Sequence, residues 1–319
     1  MHTIVSYFCG CGGLDLGFSG GFTYHGTKYR PQPFEILGAY DCDPNAIDTY
    51  NRYFGKGAAE IRDLSDVNLD GIPAAEILIG GFPCQDFSSC GPQAGLNSDR
   101  GNLYQSLVNY MHRFHPKVVV GENVINLMRM NNGHTIETIH DAFENEGYRF
   151  EIWNLSAADY GVPQTRRRLF FVGVREDIAG FPEKPTPTTA GAPYSIKWAI
   201  SDLESVTDES VRNQSQYFKA SRAKRGNGQG DETSKADKPA YTIRANPKSR
   251  VQFHYSLDRR LTVRECARIQ TFPDNFYFPH AKTTSMREIG NAVPPVLAHQ
   301  VASSVASFLN ALEEADADA

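Results

Sequence analysis

The chain has 319 residues, 40% hydrophobic and 22% charged, the proportions of an ordinary soluble globular protein, and its formal net charge of −5 argues against a surface coated in basic residues. The length passes the roughly 250–300 residues at which a single core stops growing, so one large domain with a smaller companion is expected. The opening residues lack a basic stretch followed by a long apolar one, and no run approaches the roughly 18 apolar residues of a membrane helix, so a cytoplasmic location without a membrane partner is expected.

Through residue 174 short apolar runs alternate with amphipathic stretches. The strand candidates are 3–8, 34–40, 76–81, 117–121, 150–155 and 168–174. Helix candidates lie at 44–54, with Asp43 as cap and Pro44 at the first position, and at 101–114 and 134–146. Strands that are apolar on both faces and separated by helices imply an α/β fold, a parallel sheet covered on both sides. Such sheets bind ligands at the carboxyl ends of their strands.

The first such end carries "FCGCGGLDLGF" (8–18), where glycines at 10, 12 and 13 let backbone approach a ligand and Asp41, at the next strand end, could accept hydrogen bonds from ribose hydroxyls. The spacing is not G-x-G-x-x-G, which counts against a dinucleotide; a plain tight turn is the alternative. The six cysteines, at 9, 11, 42, 84, 90 and 266, contain no C-x-x-C pair, so no metal is expected.

A second end carries "ILIGGFPCQDFSSCG" (77–91), in which Cys84 sits just past the apolar run rather than inside it, where a structural thiol belongs. Only a few per cent of an ordinary cysteine is thiolate at neutral pH, and a strand end before a helix and near arginines could raise that share. An unreactive loop cysteine is the bland alternative. A third end, "VVVGENV" (118–124), places Glu122 where partial desolvation would raise its pKa and let it donate a proton near pH 7, unless it merely caps a helix. In "GVPQTRRRLFFVGV" strand alternation puts Arg166 and Arg168 on one side, which suits a phosphate or a pyrimidine carbonyl, or else a solvated edge.

Prolines and glycines break the pattern at 180–193, and the chain beyond that break is polar and basic. Residues 211–250 hold ten Lys/Arg against three acids, a local +7 that leaves −12 for the rest of the chain. That suits a polyanion held at one place, or a solvated basic loop. Order returns at "RRLTVRECARIQTF", where Thr262 and Glu265 have capping-box spacing, and a final helix spans about 295–312 before a frayed tail.

Six motifs in this order, "FCGCGGLDLGF", "GGFPCQDFS", "GENV", "QTRRRLFFVG", "RRLTVRECARIQTFPD" and "GNAVPP", make the chain resemble the cytosine-5 DNA methyltransferases of bacterial restriction-modification type. The resemblance spans nearly all of the chain except about 180–240. It implies a doubly wound, mostly parallel, Rossmann-like sheet over 1–179 and a target-recognition region over 180–258 in a smaller domain. A return segment occupies 259–319, and its last helix packs back on the catalytic domain.

The resemblance implies that the Cys84 thiolate adds to carbon 6 of a cytosine flipped out of duplex DNA, while Glu122 holds and protonates the ring nitrogen. Arg168 would contact the cytosine carbonyl, and Arg166 would position the thiolate or a backbone phosphate. The implied methyl donor is S-adenosylmethionine, with S-adenosylhomocysteine as product and no metal. Phe8, Gly10, Gly12, Gly13, Leu14, Cys42, Leu64, Pro83 and Ala292 would line its site, with Asp41 at the ribose, Asp63 at the adenine amino group and Asn291 near the methionine end. Cys42 departs from the bulky residue the family often has under the adenine. Gln85, Ser88, Lys224, Arg225, Thr242 and Arg244 would contact DNA. Thr242 lies in "PAYTIRA", which is similar to an element near the end of such recognition regions, and the short region suggests a short recognition site.

The implied partners are double-stranded DNA, which holds the protein at the nucleoid, and a companion restriction endonuclease; the chain is expected to be a monomer. The alternatives are the tRNA-methylating branch of the same family, whose Cys-Phe-Thr signature is not found here, and a DNA-binding regulator with a decayed site.

Overall fold

The computed structural model describes residues 1–65, 68–82, 103–219, 232–246 and 252–317. Seven strands form one sheet: β1 (His2–Tyr7), β4 (Phe34–Asp41), β5 (Glu60–Ile61), β6 (Ile77–Gly80), β7 (Val118–Val124), β8 (Tyr148–Ser156) and β9 (Arg167–Arg175). Their spatial order is β5-β4-β1-β6-β7-β9-β8. The neighbours from β5 through β7 pair in parallel, whereas β9 runs antiparallel to both β7 and β8. Each strand candidate from the sequence overlaps one of these seven, with 3–8, 76–81 and 117–121 running one residue past an observed end.

Alternation along the strands builds two cores. On one face Ile4, Ile77, Ile79, Val118, Val120 and Val172 pack with α1 (Gly13–Ser19) and α8 (Pro295–Ala317). On the other, Val5, Leu78, Val119 and Phe171 meet α3 (Gln105–Phe114) and α4 (His134–Glu144). Helices on both faces explain why β6 and β7 read as continuous apolar runs.

Local signals fix the helices. The Asp43 side chain accepts the Asn45 amide at the start of α2 (Pro44–Phe54), Pro44 occupies the first turn, and Gly55 ends the helix at φ 118°. At α6 (Val263–Ile269) the Thr262 hydroxyl and Glu265 carboxylate satisfy each other's backbone amides in a complete capping box. A Cβ on Gly17 would lie 2.2 Å from the Ala298 Cβ, so α1 and α8 approach to a distance that only glycine permits.

Several elements lie outside the pattern read from sequence: the hairpin β2 (Phe22–Tyr24) and β3 (Thr27–Tyr29), the short α5 (Ile196–Ile200), the two-residue strands β10 (Glu232–Thr233) and β11 (Gln252–Phe253), and α7 (Lys282–Asn291). The expected frayed tail is helical as far as Ala317. Between Lys282 and Ala315 one helical window is long and apolar enough to cross a membrane by length and composition alone; most of that window is buried inside the fold, where Leu297, Val301 and Val305 belong to the core.

Candidate active site

The strand order reverses direction between β1 and β6, because β4 and β5 follow β1 on one side while β7 lies beyond β6 on the other. The crevice at the carboxyl ends of these two strands is the expected ligand position in a doubly wound sheet. Beyond β1 the backbone turns sharply: Phe8 adopts φ 53°, Gly10 φ 55° and Gly12 φ 91°. Positive φ at a phenylalanine costs of order 1–3 kcal/mol and persists only where the surroundings enforce it. Here the Cys9 amide is held by the Tyr40 carbonyl at 3.1 Å, and the Gly10 amide by Asp41 Oδ2 at 2.9 Å.

The carboxylate of Asp41 therefore joins two strand ends. Its other oxygen accepts the Asp43 amide at 2.8 Å, and burial pushes its pKa up. A Cβ on Gly13 would lie 2.4 Å from the Val293 carbonyl and 3.0 Å from the Ala292 Cβ, so the glycine turn and the "GNAVPP" segment are packed together. A Cβ on Gly10 would meet nothing within 4 Å, which leaves open space above the turn.

The remaining expected cofactor residues are placed less uniformly. Leu14 and Leu64 are buried in the core, Phe8 and Ala292 are half-buried, and Cys42 and Asn291 are exposed. Asp63 is exposed beyond β5, where hydrogen bonds from Ser65 hold its carboxyl below the usual range.

Glu122 stands near the carboxyl end of β7, opposite Phe170 of β9. Its Oε1 lies 2.6 Å from Arg168 Nε, with both side chains nearly enclosed. Burial pushes the Glu122 pKa up, against the opposing pull of the Arg168 and Arg166 charges. The neighbouring Asn123 donates from Nδ2 to the Phe82 carbonyl at 3.2 Å, and a Cβ on Gly81 would lie 3.2 Å from Glu122 Oε2. Residue 82, which leads into the Pro-Cys-Gln peptide, is thus bonded to Asn123, and residue 81 passes close beside the Glu122 carboxyl. Asn123 lies within "GENV" but is not among the expected site residues.

Arg166 precedes β9 and has no exposed surface. Its guanidinium donates to the carbonyls of Ile243, Gly290 and Ala292, each at 3.0 Å. Burial and the Arg168 charge both depress its pKa. These terminal nitrogens are committed to main-chain carbonyls, so the expected alternative of a backbone phosphate on Arg166 does not fit. Arg168 stays on the site side with Glu122.

Thr242 is half-buried and donates to the Thr165 carbonyl at 3.3 Å, and Arg244 is exposed. Pro83, Cys84, Gln85, Ser88, Lys224 and Arg225 lie outside the described residues. Among the described residues, a cleft of about 480 Å³ opens at the ends of β8 and β9, walled in part by Ser156, Asp159, Arg167 and Lys184; none of the expected catalytic residues lines it.

The chain matches the family model of the C-5 cytosine-specific DNA methylases over residues 2–307. It is 34% identical to the Type II methyltransferase M.NgoFVII of Neisseria gonorrhoeae over 95% of this chain and 86% of that protein. It is 30% identical to the Type II methyltransferase M.FnuDI of Fusobacterium nucleatum, over 98% and 96% of the two chains. Among solved structures, its fold is similar to a prophage-encoded DNA modification methyltransferase from E. coli, with TM-score 0.73 and 21% identity over 97% of this chain and 100% of that one. It is also similar to the Dnmt2 methyltransferase of S. pombe, with TM-score 0.69 and 17% identity over 98% and 99%.

Proposed function

The chain belongs to the C-5 cytosine-specific DNA methylase family and is a DNA cytosine-5 methyltransferase of restriction-modification type, and from that premise we propose that it methylates a cytosine flipped out of a short site in duplex DNA through a transient bond to Cys84. The observation that supports this most is the Glu122–Arg168 pair, which lies beside Gly81 and next to Asn123, whose amide holds the Phe82 carbonyl in the backbone that leads into Cys84.

The residues at the β1 and β4 ends fit the family's cofactor. The space above Gly10, the glycine-only contact at Gly13 and the fixed Asp41 carboxylate suit a nucleoside lying across the switch point. In this reading Asp41 holds the ribose hydroxyls, Asp63 the adenine amino group, and Phe8, Asn291 and Ala292 the flanks, with Cys42 offering less stacking surface than an aromatic ring. S-adenosylmethionine, when bound, supplies the electrophilic methyl group that carbon 5 accepts.

Carbon 5 of cytosine is a poor nucleophile until the ring gains electrons, which covalent catalysis provides. The Cys84 thiolate bonds to carbon 6, and Glu122 donates its proton to the ring nitrogen beside the amino group, so the added charge is neutralised. Arg168 holds the Glu122 carboxyl in place and faces the cytosine carbonyl. Loss of the carbon-5 proton then returns an electron pair to the ring and expels Cys84. The base leaves the stack because the sulfur must approach perpendicular to a face hidden in the duplex. Arg166 acts as a structural support for this centre rather than as a phosphate ligand. The protein works as a monomer whose product protects DNA from a companion endonuclease.

A duplex carrying 5-fluorocytosine at the target position tests the covalent scheme, because fluorine cannot leave as a proton does. The expected result is a heat-resistant protein–DNA species whose linkage maps to Cys84 by peptide mass spectrometry. Methylation of ordinary duplex without any trapped species would overturn the scheme.

A further inference from the structure

Two glutamines outside the expected site close a ring of hydrogen bonds. Gln164 donates from Nε2 to Gln270 Oε1 at 2.6 Å, and Gln270 donates from its own Nε2 to the Ala292 carbonyl. The same Ala292 carbonyl accepts from Arg166, Arg166 donates in turn to the Ile243 carbonyl, and the Ile243 amide returns to Gln164 Oε1 at 3.3 Å. Gln164, Arg166 and Gln270 have no exposed surface. The links at Gln164 and Ile243 are therefore made away from water, and the two that meet at the Ala292 carbonyl are part-buried; breaking one leaves a buried side-chain polar group unsatisfied, and neighbouring bonds polarise one another.

The ring joins segments with different tasks. Ile243 lies between Thr242 and Arg244, the residues read as facing DNA, and Ala292 follows Asn291 in the segment read as facing the cofactor. A second contact reinforces the link: a Cβ on Gly290 would lie 2.3 Å from the Arg244 carbonyl carbon and 2.4 Å from the Ala245 nitrogen. Residues 244–245 and residue 290 thus touch backbone to backbone, and neither segment can shift without pressing on the other.

We propose that Gln164 and Gln270 are positioning residues that couple occupancy of the DNA-reading segment at 242–244 to the cofactor segment at 290–292, so that duplex DNA and the cofactor tighten each other's binding. This rests on the DNA and cofactor assignments of the proposed function. DNA that fixes residues 242–244 also fixes, through Arg166 and the two glutamines, the Gly290 and Ala292 carbonyls, and with them the Ala292 side chain and Val293 carbonyl that pack beside Gly13. The ordering is then already in place when the cofactor arrives. Coupling of this kind is reciprocal: the factor by which DNA tightens cofactor binding equals the factor by which cofactor tightens DNA binding.

The test uses the whole chain, S-adenosylhomocysteine as a non-reacting probe, and a duplex bearing the site found by bisulfite sequencing of DNA from an expressing strain. Calorimetry gives the dissociation constant of the probe with and without duplex, and the ratio of the two is the coupling factor. In the unaltered protein that ratio is expected to be about fivefold or more. Gln270→Met and Gln164→Met remove the ring's polar joints at similar volume, and each is expected to bring the ratio below about twofold. The double variant should lower it no further, since a ring opened at one joint is already open; a role confined to stability would instead give additive losses. Gln164→Glu keeps the acceptor for Ile243 and loses the donor to Gln270, so it serves if Gln164→Met does not fold.

A folded single variant that keeps the full ratio overturns the proposal. So does an unaltered protein that transfers methyl groups to DNA with a ratio of one. Failure of the functional reading itself would look different, as absence of methyl transfer by the unaltered protein.

Discussion

The Nε of Arg168 lies 2.6 Å from Oε1 of Glu122, at a strand end where neither side chain is more than about one-eighth exposed. Burial alone would keep the carboxyl protonated to high pH, and the guanidinium opposes it, so the acid remains one that can both hold and release a proton. Replacing Glu122 by Gln keeps the shape and removes the transferable proton. Methyl transfer by Glu122→Gln is expected to fall about 10²–10⁴-fold, with DNA binding changed far less. In the unaltered enzyme kcat/KM should decline as pH rises through the raised Glu122 pKa, and that limb should vanish in the variant. A variant with the same high-pH limb would reassign it to another group.

Asp41 ties Gly10 and Asp43 together through its two oxygens. In Asp41→Ala the Gly10 and Asp43 amides lose their acceptor and the ribose loses its ligand. Affinity for S-adenosylhomocysteine should drop about 10–100-fold, corresponding to roughly 1.4–2.7 kcal/mol, by calorimetry. An affinity within twofold of normal would remove Asp41 from the cofactor site.

Glu288 is buried on α7, accepts a hydrogen bond from Thr49 at 2.8 Å, and has its pKa pushed up to about 7 by burial. The folded state then binds this proton more tightly than the unfolded chain does. The stabilisation is complete below the ordinary glutamate pKa of about 4.3 and is lost as pH rises through 7, by at most about 4 kcal/mol. Glu288→Gln should flatten the decline in thermal midpoint between pH 5 and 8. An undiminished decline would show that other groups produce it.

Gly17→Ala places a methyl group 2.2 Å from the Ala298 Cβ. Overpacking of this kind costs about 1–3 kcal/mol, and the thermal midpoint should fall while the cofactor dissociation constant of the surviving folded protein stays near normal. A stabilised variant would mean that the α1–α8 contact is looser than described.

Removing Lys224 and Arg225 together should weaken DNA binding and make it less sensitive to salt, by up to about 0.9 units of log–log slope for each phosphate left without its cation. An unchanged slope would exclude the basic segment from the DNA footprint.

The sheet was legible because buried strands in a covered sheet are written as unbroken apolar runs, and α2 because Asp43 and Pro44 mark its start. The direction of β9 was not read, although residues 157–166 are too short for the roughly dozen-residue crossover that a parallel neighbour needs. The helix α7 escaped because its sequence, KTTSMREIGN, is mostly polar and one of its buried residues is Glu288, which reads as a solvent-facing position. Glu122 and Arg168 were each legible as site residues from strand-end placement and side-chain alternation, whereas their mutual contact was not. The partners of Arg166 were not legible either: strand alternation put it beside Arg168, but it bonds carbonyls from two distant segments, residue 243 and the end of α7, and a carbonyl leaves no mark in a residue pattern. The ring through Gln164 and Gln270 was hidden for the same reason.

The close seating of α8 on α1 also bears on how the protein is made. Strand β1 lies in the middle of the sheet and leaves the ribosome early, yet α8, which shares with α1 the cover of its apolar face, is translated only after every strand. The central layer therefore waits, part of one face uncovered, until synthesis of the chain through α8 is complete. Such long-range closure makes for slow folding and prolonged exposure of sticky surface to other nascent chains. Yield in a heterologous host should accordingly respond more to chaperone supply and growth temperature than to the rate of transcription.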